Sequence, residues 1–322
     1  MSASHELTGA SDATPAGGEP LFVHYLTLDV FTDQRFGGNP LAVILDARGL
    51  SDAEMLQVTR EFNFSESTFV LPAENASMTR RVRIFTPGGE VPFAGHPTVG
   101  TAIAMVFSGD VTADGDTLQV VLGENVGPVP VTIRLRDGVP EWAQLSVAQL
   151  PVEEPPIDAA IVCEVMGLQP SDLLPASTHP PRVTSCGLPF LMVPVATRNA
   201  VERARVQVAP FERHFQGTPA EMMMVFTPIS DTPGVDIHCR VFCPGVNVPE
   251  DPATGSANAA LGGYLAARTP RTGTLTWTTQ QGIEMGRPSR LEIEVDKAGD
   301  AITAVRVGGN AVLMSEGRLR VR

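Results

Sequence analysis

Positive charge is scarce in this 322-residue chain: 23 Lys and Arg stand against 36 Asp and Glu, a formal net charge of −13. No run of Lys and Arg interrupts that balance. An acidic surface repels nucleic acid and anionic lipid, so neither is an expected partner. No stretch approaches the ~18 consecutive apolar residues that span a bilayer, so no membrane span is expected. Residues 1–20 hold no Lys or Arg and no apolar run. They read as a disordered tail, not as a signal or transit peptide.

Cysteine is sparse as well. Cys163, Cys186, Cys239 and Cys243 make no C-x-x-C pair. Cys239 and Cys243 lack the histidine or second cysteine pair that would complete a zinc site. All four read as reduced, buried thiols, Cys243 as core, which places the chain in a reducing cytosol. The histidines, His5, His24, His96, His179, His214 and His238, show no ligand spacing. There is no Walker loop, no G-x-G-x-x-G after a strand, no H-E-x-x-H and no G-x-S-x-G. Neither a metal nor a cofactor is expected.

Hydrophobic residues make up 43% of the chain, enough for two domains with cores of their own or one large one. Alternation predicts a strand over Leu21–Phe31, and a turn at Gly37–Pro40 leads to a second at Leu41–Leu45. Ser51-Asp52-Ala53-Glu54 is a capping box, with Met55, Val58 and Phe62 on one helical face and an end near Asn63. Strands follow at Thr68–Leu71, Arg81–Phe85, Leu118–Leu122 and Val129–Leu135. Leu150–Pro156, with three prolines and two glutamates, reads as an interdomain linker. Later strands fall at Phe190–Val195, Met222–Phe226, Asp236–Phe242, Thr274–Thr278, Arg290–Val295, Val305–Val307 and Val312–Met314.

An internal repeat organises these elements. R-I-F-T-P-G-G-E-V-P at 83–92 matches R-V-F-C-P-G-V-N-V-P at 240–249. After a short slip, H-P-T-V-G-T-A from His96 matches D-P-A-T-G-S-A from Asp251. Each copy runs into a helix, Pro97–Phe107 and Pro252–Ala267, that is apolar or small nearly all round and must be buried on every side. The expected class is α+β: two pseudo-twofold-related halves, each a mostly antiparallel curved, barrel-like sheet around a central apolar helix.

In both copies the proline is expected at the first helical position, with His96 and Asp251 as the residues before it. Asp251 is open to a plain reading as a helix cap; His96 fits a cap poorly. Two facing helix N-termini would favour a carboxylate between them, with His96 and Asp251 on opposite walls of one cleft. Glu66 lies in N-F-S-E-S-T-F among Phe62, Phe64 and Phe69. It is either an exposed loop glutamate or a desolvated acid with proton affinity raised toward a catalytic range.

The runs FGGNPLAV, NFSESTFV, FAGHPTVG, PEDPATGSA and QQGIEMGRPS together resemble the phenazine-biosynthesis isomerase (PhzF-like) family, of the diaminopimelate-epimerase-like fold. The resemblance runs from about Leu21 to the end. It implies a first domain over 21–149 to which a C-terminal strand, about 310–322, returns, and a second over 150–309. It implies Glu66 as proton carrier with His96 and Asp251 as catalytic partners, and Ser65, Gly95, Gly255 and Ser256 lining the substrate pocket. It further implies a homodimer and a cofactor-independent isomerisation of a small unsaturated carboxylate, of dihydro-hydroxyanthranilate type. Two other readings stand beside it: a two-base epimerase of an amino or hydroxy acid, and a non-catalytic metabolite-binding protein of the same fold. A racemase of the two-thiol kind is not expected, because no cysteine stands beside either proline.

Overall fold

Alternation at the start of the chain builds β1 (Phe22–Val30), and the turn through Gly37 and Gly38 returns it into β2 (Asn39–Ile44). The computed structural model describes residues 20–246 and 248–322. The reading of residues 1–20 as a tail thus lies, but for Pro20, outside the described residues. Ser51 opens α1 (Asp52–Phe62) with both arms of the capping box formed, and Asn63 closes it with φ of 53°. β3 (Glu66–Leu71), β4 (Arg80–Thr86) and β5 (Gly89–Val91) lead into α2 (Gly95–Phe107). Then come β6 (Thr117–Glu124), β7 (Gly127–Arg136) and β8 (Val139–Ser146).

The remainder runs β9 (Val152–Pro156), α3 (Ala159–Met166), β10 (Arg182–Ser185), β11 (Pro189–Pro194), α4 (Arg198–Arg203) and α5 (Val208–His214). It continues with β12 (Met223–Thr227), β13 (Ile237–Cys243), β14 (Val248–Asp251), α6 (Gly255–Ala266), β15 (Gly273–Gln281), β16 (Ser289–Ala298) and β17 (Ala301–Arg320).

The fold is mostly sheet. β1, β2, β3, β4, β6, β7 and β8 pair in succession, and β17 closes the ring by pairing with both β8 and β1, a barrel of eight strands. β2–β3 and β4–β6 are parallel; the other pairs are antiparallel. The same order of antiparallel and parallel pairings runs through β10, β11, β12, β13, β15, β16 and the first half of β17.

α2 fills the barrel, buried from Gly95 through Met105, and packs on β8, β1, β2 and β17. α6 is buried except at Leu265, and packs chiefly on β16 and β17. A helix with full-sized side chains is ~10–12 Å across. Gly, Ala and Thr in α2 and Gly, Ala and Ser in α6 thin them enough to be enclosed.

Several elements differ from the sequence reading. Both helices start elsewhere: α2 begins at Gly95, so His96 and Pro97 lie inside its first turn, where the missing proline N–H has no intrahelical partner to lose. Asp251 is not a cap but the end of β14, paired with Val241, and α6 begins only at Gly255 after the cap residue Thr254. Leu150–Pro156 is not a free linker. Val152–Pro156 is a strand on the edge of β10, where prolines need no ladder partner on their open side. The two short strands expected at Val305–Val307 and Val312–Met314 are one strand of 20 residues, because Gly308, Gly309 and Asn310 continue it through the junction. β8 and β10, the helices α3 to α5 and the short β5 and β14 have no counterpart in the reading.

The helix N-termini touch. A methyl group placed on Gly255 would lie 3.0 Å from Gly95 Cα, and one on Gly95 would lie 2.7 Å from Gly255 Cα. Both obstacles are main chain and cannot rotate away. Gly255→Ala should therefore cost about 1–3 kcal/mol of stability, whereas Gly115→Ala, with open space around its Cα, should cost little. Denaturant midpoints measure both; equal midpoints for the two variants would contradict the close contact.

Candidate active site

Between the two helix starts lies a cavity of about 190 Å³ walled by Ser65, Glu66, Phe93, Gly95, His96, Phe190, Met222, Cys243, Asp251, Thr254, Gly255 and Ser256. Every residue singled out in the sequence lines this one space. Glu66 is the first residue of β3, held in register against Leu41 of β2, and not part of a loop. His96 comes from the first turn of α2, Asp251 from the end of β14, and Ser256 from the first turn of α6. No side chain caps either helix, so the orphan N–H groups of the first turns stay available to an anion.

Glu66 Oε2 and His96 Nε2 face each other at 3.7 Å, too far for a hydrogen bond. Both atoms are buried and neither has another partner. Burial, then the negative charge of Asp251, raises the Glu66 carboxyl to about 8, against a weaker opposing effect of the Ser65 hydroxyl. The phenylalanines adjacent in sequence do not cause this. Phe62, Phe64 and Phe69 belong to the cluster around Ala42 and Ile44, while Phe93 and Phe190 wall the cavity.

Burial pushes the His96 ring down to about 3, and hydrogen bonding to the Pro40 carbonyl opposes it only weakly. The imidazole is therefore neutral at pH 7. Burial raises Asp251 to about 6 even though hydrogen bonds from Thr254 and Asn39 pull the other way.

Cys243 is both core, as expected, and a wall of the cavity. Burial and the charges of Asp251 and Glu66 push its thiol well above the ordinary range, so it stays protonated and is a poor base.

Three further side chains, not singled out from sequence, hold the site. Asn39 Nδ2 donates to Asp251 Oδ1 at 2.9 Å, and Asn39 Oδ1 accepts from Ser65 Oγ at 3.1 Å. Thr254 Oγ1 donates to Asp251 Oδ2 at 2.5 Å, and Gln281 Nε2 donates to the Asp251 carbonyl at 2.7 Å. Asn39 and Gln281 stand in the runs FGGNPLAV and QQGIEMGRPS, but nothing in their spacing says that the two meet at Asp251, one at its carboxylate and the other at its carbonyl.

Two other features invite comparison. Glu124 is buried and also raised to about 8 by burial. Its Oε1 lies 2.6 Å from Thr98 Oγ1, which is itself 2.7 Å from the Ala94 carbonyl. Thr98 Oγ1 is the donor in both contacts, and burial of the Glu124 carboxyl favours its neutral form. It does not reach the cavity between the helices. A larger cavity of about 700 Å³ lies beside α5. Its buried Arg240 is fully engaged by both oxygens of Glu250 and by the carbonyls of Val201, Glu202 and Ala204. Among the described residues no three His, Cys, Asp or Glu side chains gather as metal ligands, and no helix is long and apolar enough to cross a membrane.

A helix-centred barrel with a small cleft lined by acids and a neutral imidazole has the make-up of an enzyme for a small metabolite. Comparison with known proteins identifies the kind. The family described as phenazine biosynthesis-like protein (PhzC-PhzF) matches residues 28–317. An uncharacterised isomerase of Mesorhizobium japonicum is 38% identical over 306 residues, 92% of this chain and 98% of that one. The trans-2,3-dihydro-3-hydroxyanthranilate isomerase of Pseudomonas aeruginosa is 34% identical over 296 residues, 91% of this chain and 98% of that one. The crystal structure of a PhzF-family phenazine biosynthesis protein from Bacillus anthracis shares the fold, with a TM-score of 0.83 and 24% identity, over 93% of this chain and 99% of that one. The chain belongs to the phenazine biosynthesis-like family, and it is an isomerase of that kind.

The raised Glu66 carboxyl has a consequence for stability. Between its ordinary 4.5 and about 8 the folded protein keeps a proton that the unfolded chain releases. Its contribution is therefore complete below the ordinary value and is lost as pH rises through the upper one. His96 acts oppositely: its stability is present above the ordinary 6.5 and lost as pH falls toward about 3. Glu66→Gln removes only the first effect. Its stability relative to the parent should grow steadily as pH rises from about 5 to about 8. Parallel stability curves across that range would contradict the buried, raised carboxyl.

Proposed function

We propose that this enzyme moves a proton along a small unsaturated carboxylate, with Glu66 as the carrier. The observation behind this is the pair of buried, unpartnered atoms, Glu66 Oε2 and His96 Nε2, 3.7 Å apart in a cavity between two helix N-termini. In the reaction so inferred, the fraction of Glu66 that is ionised at neutral pH takes a proton from a carbon next to the unsaturated system. The electron pair left behind delocalises onto the substrate carboxylate, where the first-turn N–H groups of α2 and α6 receive the charge. Glu66 then returns the same proton to a different carbon, and the double bond moves. A carboxyl near 8 exchanges a proton at small cost around neutral pH. Neutral His96 offers a hydrogen bond and not a charge. Asp251, Ser65 and Ser256 orient the substrate with the backbone at Gly95 and Gly255. This proton transfer needs no metal and no cofactor.

The relatives support a ring carboxylate of the dihydro-hydroxyanthranilate type as the first substrate to test. We further propose a duplicated architecture, with a first domain over 21–149 joined by the C-terminal strand and a second over 150–309; the recurring order of strand pairings supports it. A cytosolic homodimer without nucleic-acid or membrane partners completes the reading.

Glu66→Gln keeps shape and polarity but cannot accept a proton. Turnover of trans-2,3-dihydro-3-hydroxyanthranilate, or of whichever unsaturated carboxylate is found to react, should fall by about 10²–10⁴ with binding retained. Turnover at close to the parent rate would remove Glu66 from the carrier's role.

A further inference from the structure

Asn39 is 1% exposed, and its orientation is fixed by groups that cannot change roles. Its Nδ2 donates to the Ala253 carbonyl at 3.0 Å as well as to Asp251 Oδ1 at 2.9 Å. A carbonyl only accepts, so the amide cannot be turned over. Gln281 is fixed in the same way: Oε1 accepts from the Thr254 N–H at 3.2 Å while Nε2 donates to the Asp251 carbonyl at 2.7 Å. Nε2 also donates to Thr254 Oγ1 at 3.0 Å, which directs the Thr254 hydroxyl proton to Asp251 Oδ2 at 2.5 Å. Each oxygen of Asp251 thus receives a hydrogen bond, and Asn39 cannot accept one in return. A proton on Oδ1 would point at an N–H; one on Oδ2 would displace the Thr254 hydroxyl proton, which has no other acceptor in the network.

We propose that Asn39, together with Thr254, is a positioning residue that holds Asp251 as the anion and so places the one proton shared by two carboxyl groups on Glu66. This rests on reading Glu66 as the proton carrier. It explains why two nearby buried acids differ: Glu66 Oε2 has no partner, while Asp251 has donors on both oxygens. The other titratable groups around the pair do not alter the count. His96 of α2 is neutral, Cys243 of β13 keeps its proton, and Glu250 of β14 is bound to Arg240 at 2.7 Å. The frame that holds the amides is rigid. Arg287 pairs with Asp29 at 2.5 Å and donates to the Gly38 carbonyl at 2.8 Å, which locks the turn before Asn39 to the loop after Gln281.

The test is a carboxyl titration of the full-length, substrate-free protein, with ¹³C-carboxyl-labelled Glu and Asp followed by NMR. The Glu66 signal is assigned by its loss in Glu66→Gln. In the parent, Glu66 should be protonated at neutral pH with Asp251 ionised. In Asn39→Ala the Glu66 midpoint should fall, and that of Asp251 rise, by about one to two pH units, the size expected for losing a hydrogen bond to a charged group. Thr254→Val, which keeps volume and removes only a hydroxyl, should shift both in the same direction; it carries the test if Asn39→Ala does not fold. A Glu66 midpoint unmoved by a folded variant would overturn the proposal, as would an ionised Glu66 beside a protonated Asp251 in the parent. No substrate is involved, so an active Glu66→Gln would end the carrier reading and leave the titration result standing.

Discussion

The main-chain contact between Gly95 and Gly255 is the constraint on which the site depends. Two helices, each sheathed by strands, meet end to end with no side chain between them. The space left beside that contact is the cavity, and its walls include the first turns of both helices because both start there. The contact also explains the helix composition: an enclosed helix that must approach a second backbone needs small residues, and α2 and α6 supply them. Neither helix has a side-chain cap.

Electrostatics follow from that geometry. Two helix N-termini bring partial positive charge to one spot, and beside it sit the buried Asp251 and the half-buried Glu66, whose Oε2 is shielded from solvent. Desolvation acts on both acids, but their hydrogen bonds differ. Asp251 has Asn39 and Thr254; Glu66 Oε2 has none. The poorly supported acid binds the proton more strongly, and it is the one that faces an imidazole too desolvated to charge. An acid–base pair of this kind is costly to the resting fold, a common feature of sites where polar groups await a ligand.

The sequence showed more of the cavity wall than of its chemistry. The H-P and D-P motifs lay beside the starts of α2 and α6, and the small-residue runs pointed to buried helices, since both signals are local. The helix starts themselves were misplaced, because Pro97 and Pro252 suggest a first helical position that the chain does not use: α2 begins before its proline and α6 after. Leu150–Pro156 looked like a linker because its three prolines argue against a central strand but not against an edge. The source of desolvation at Glu66 was misread from neighbours in sequence; strand alternation and the helix turn send Phe62, Phe64 and Phe69 into another cluster. Asn39 and Gln281 were visible within quoted runs, yet their partnership at Asp251 is a long-range fact that no spacing encodes.

In the proposed isomerisation one carboxyl carries one proton between two different carbons. Turnover in D₂O with an unlabelled substrate tests this most directly, with each carbon of recovered substrate and product examined by NMR. The expected product has its double bond moved, with any deuterium on the carbon that gained a hydrogen. Deuterium at the original carbon with inverted configuration and the double bond in place would contradict it and make the enzyme an epimerase.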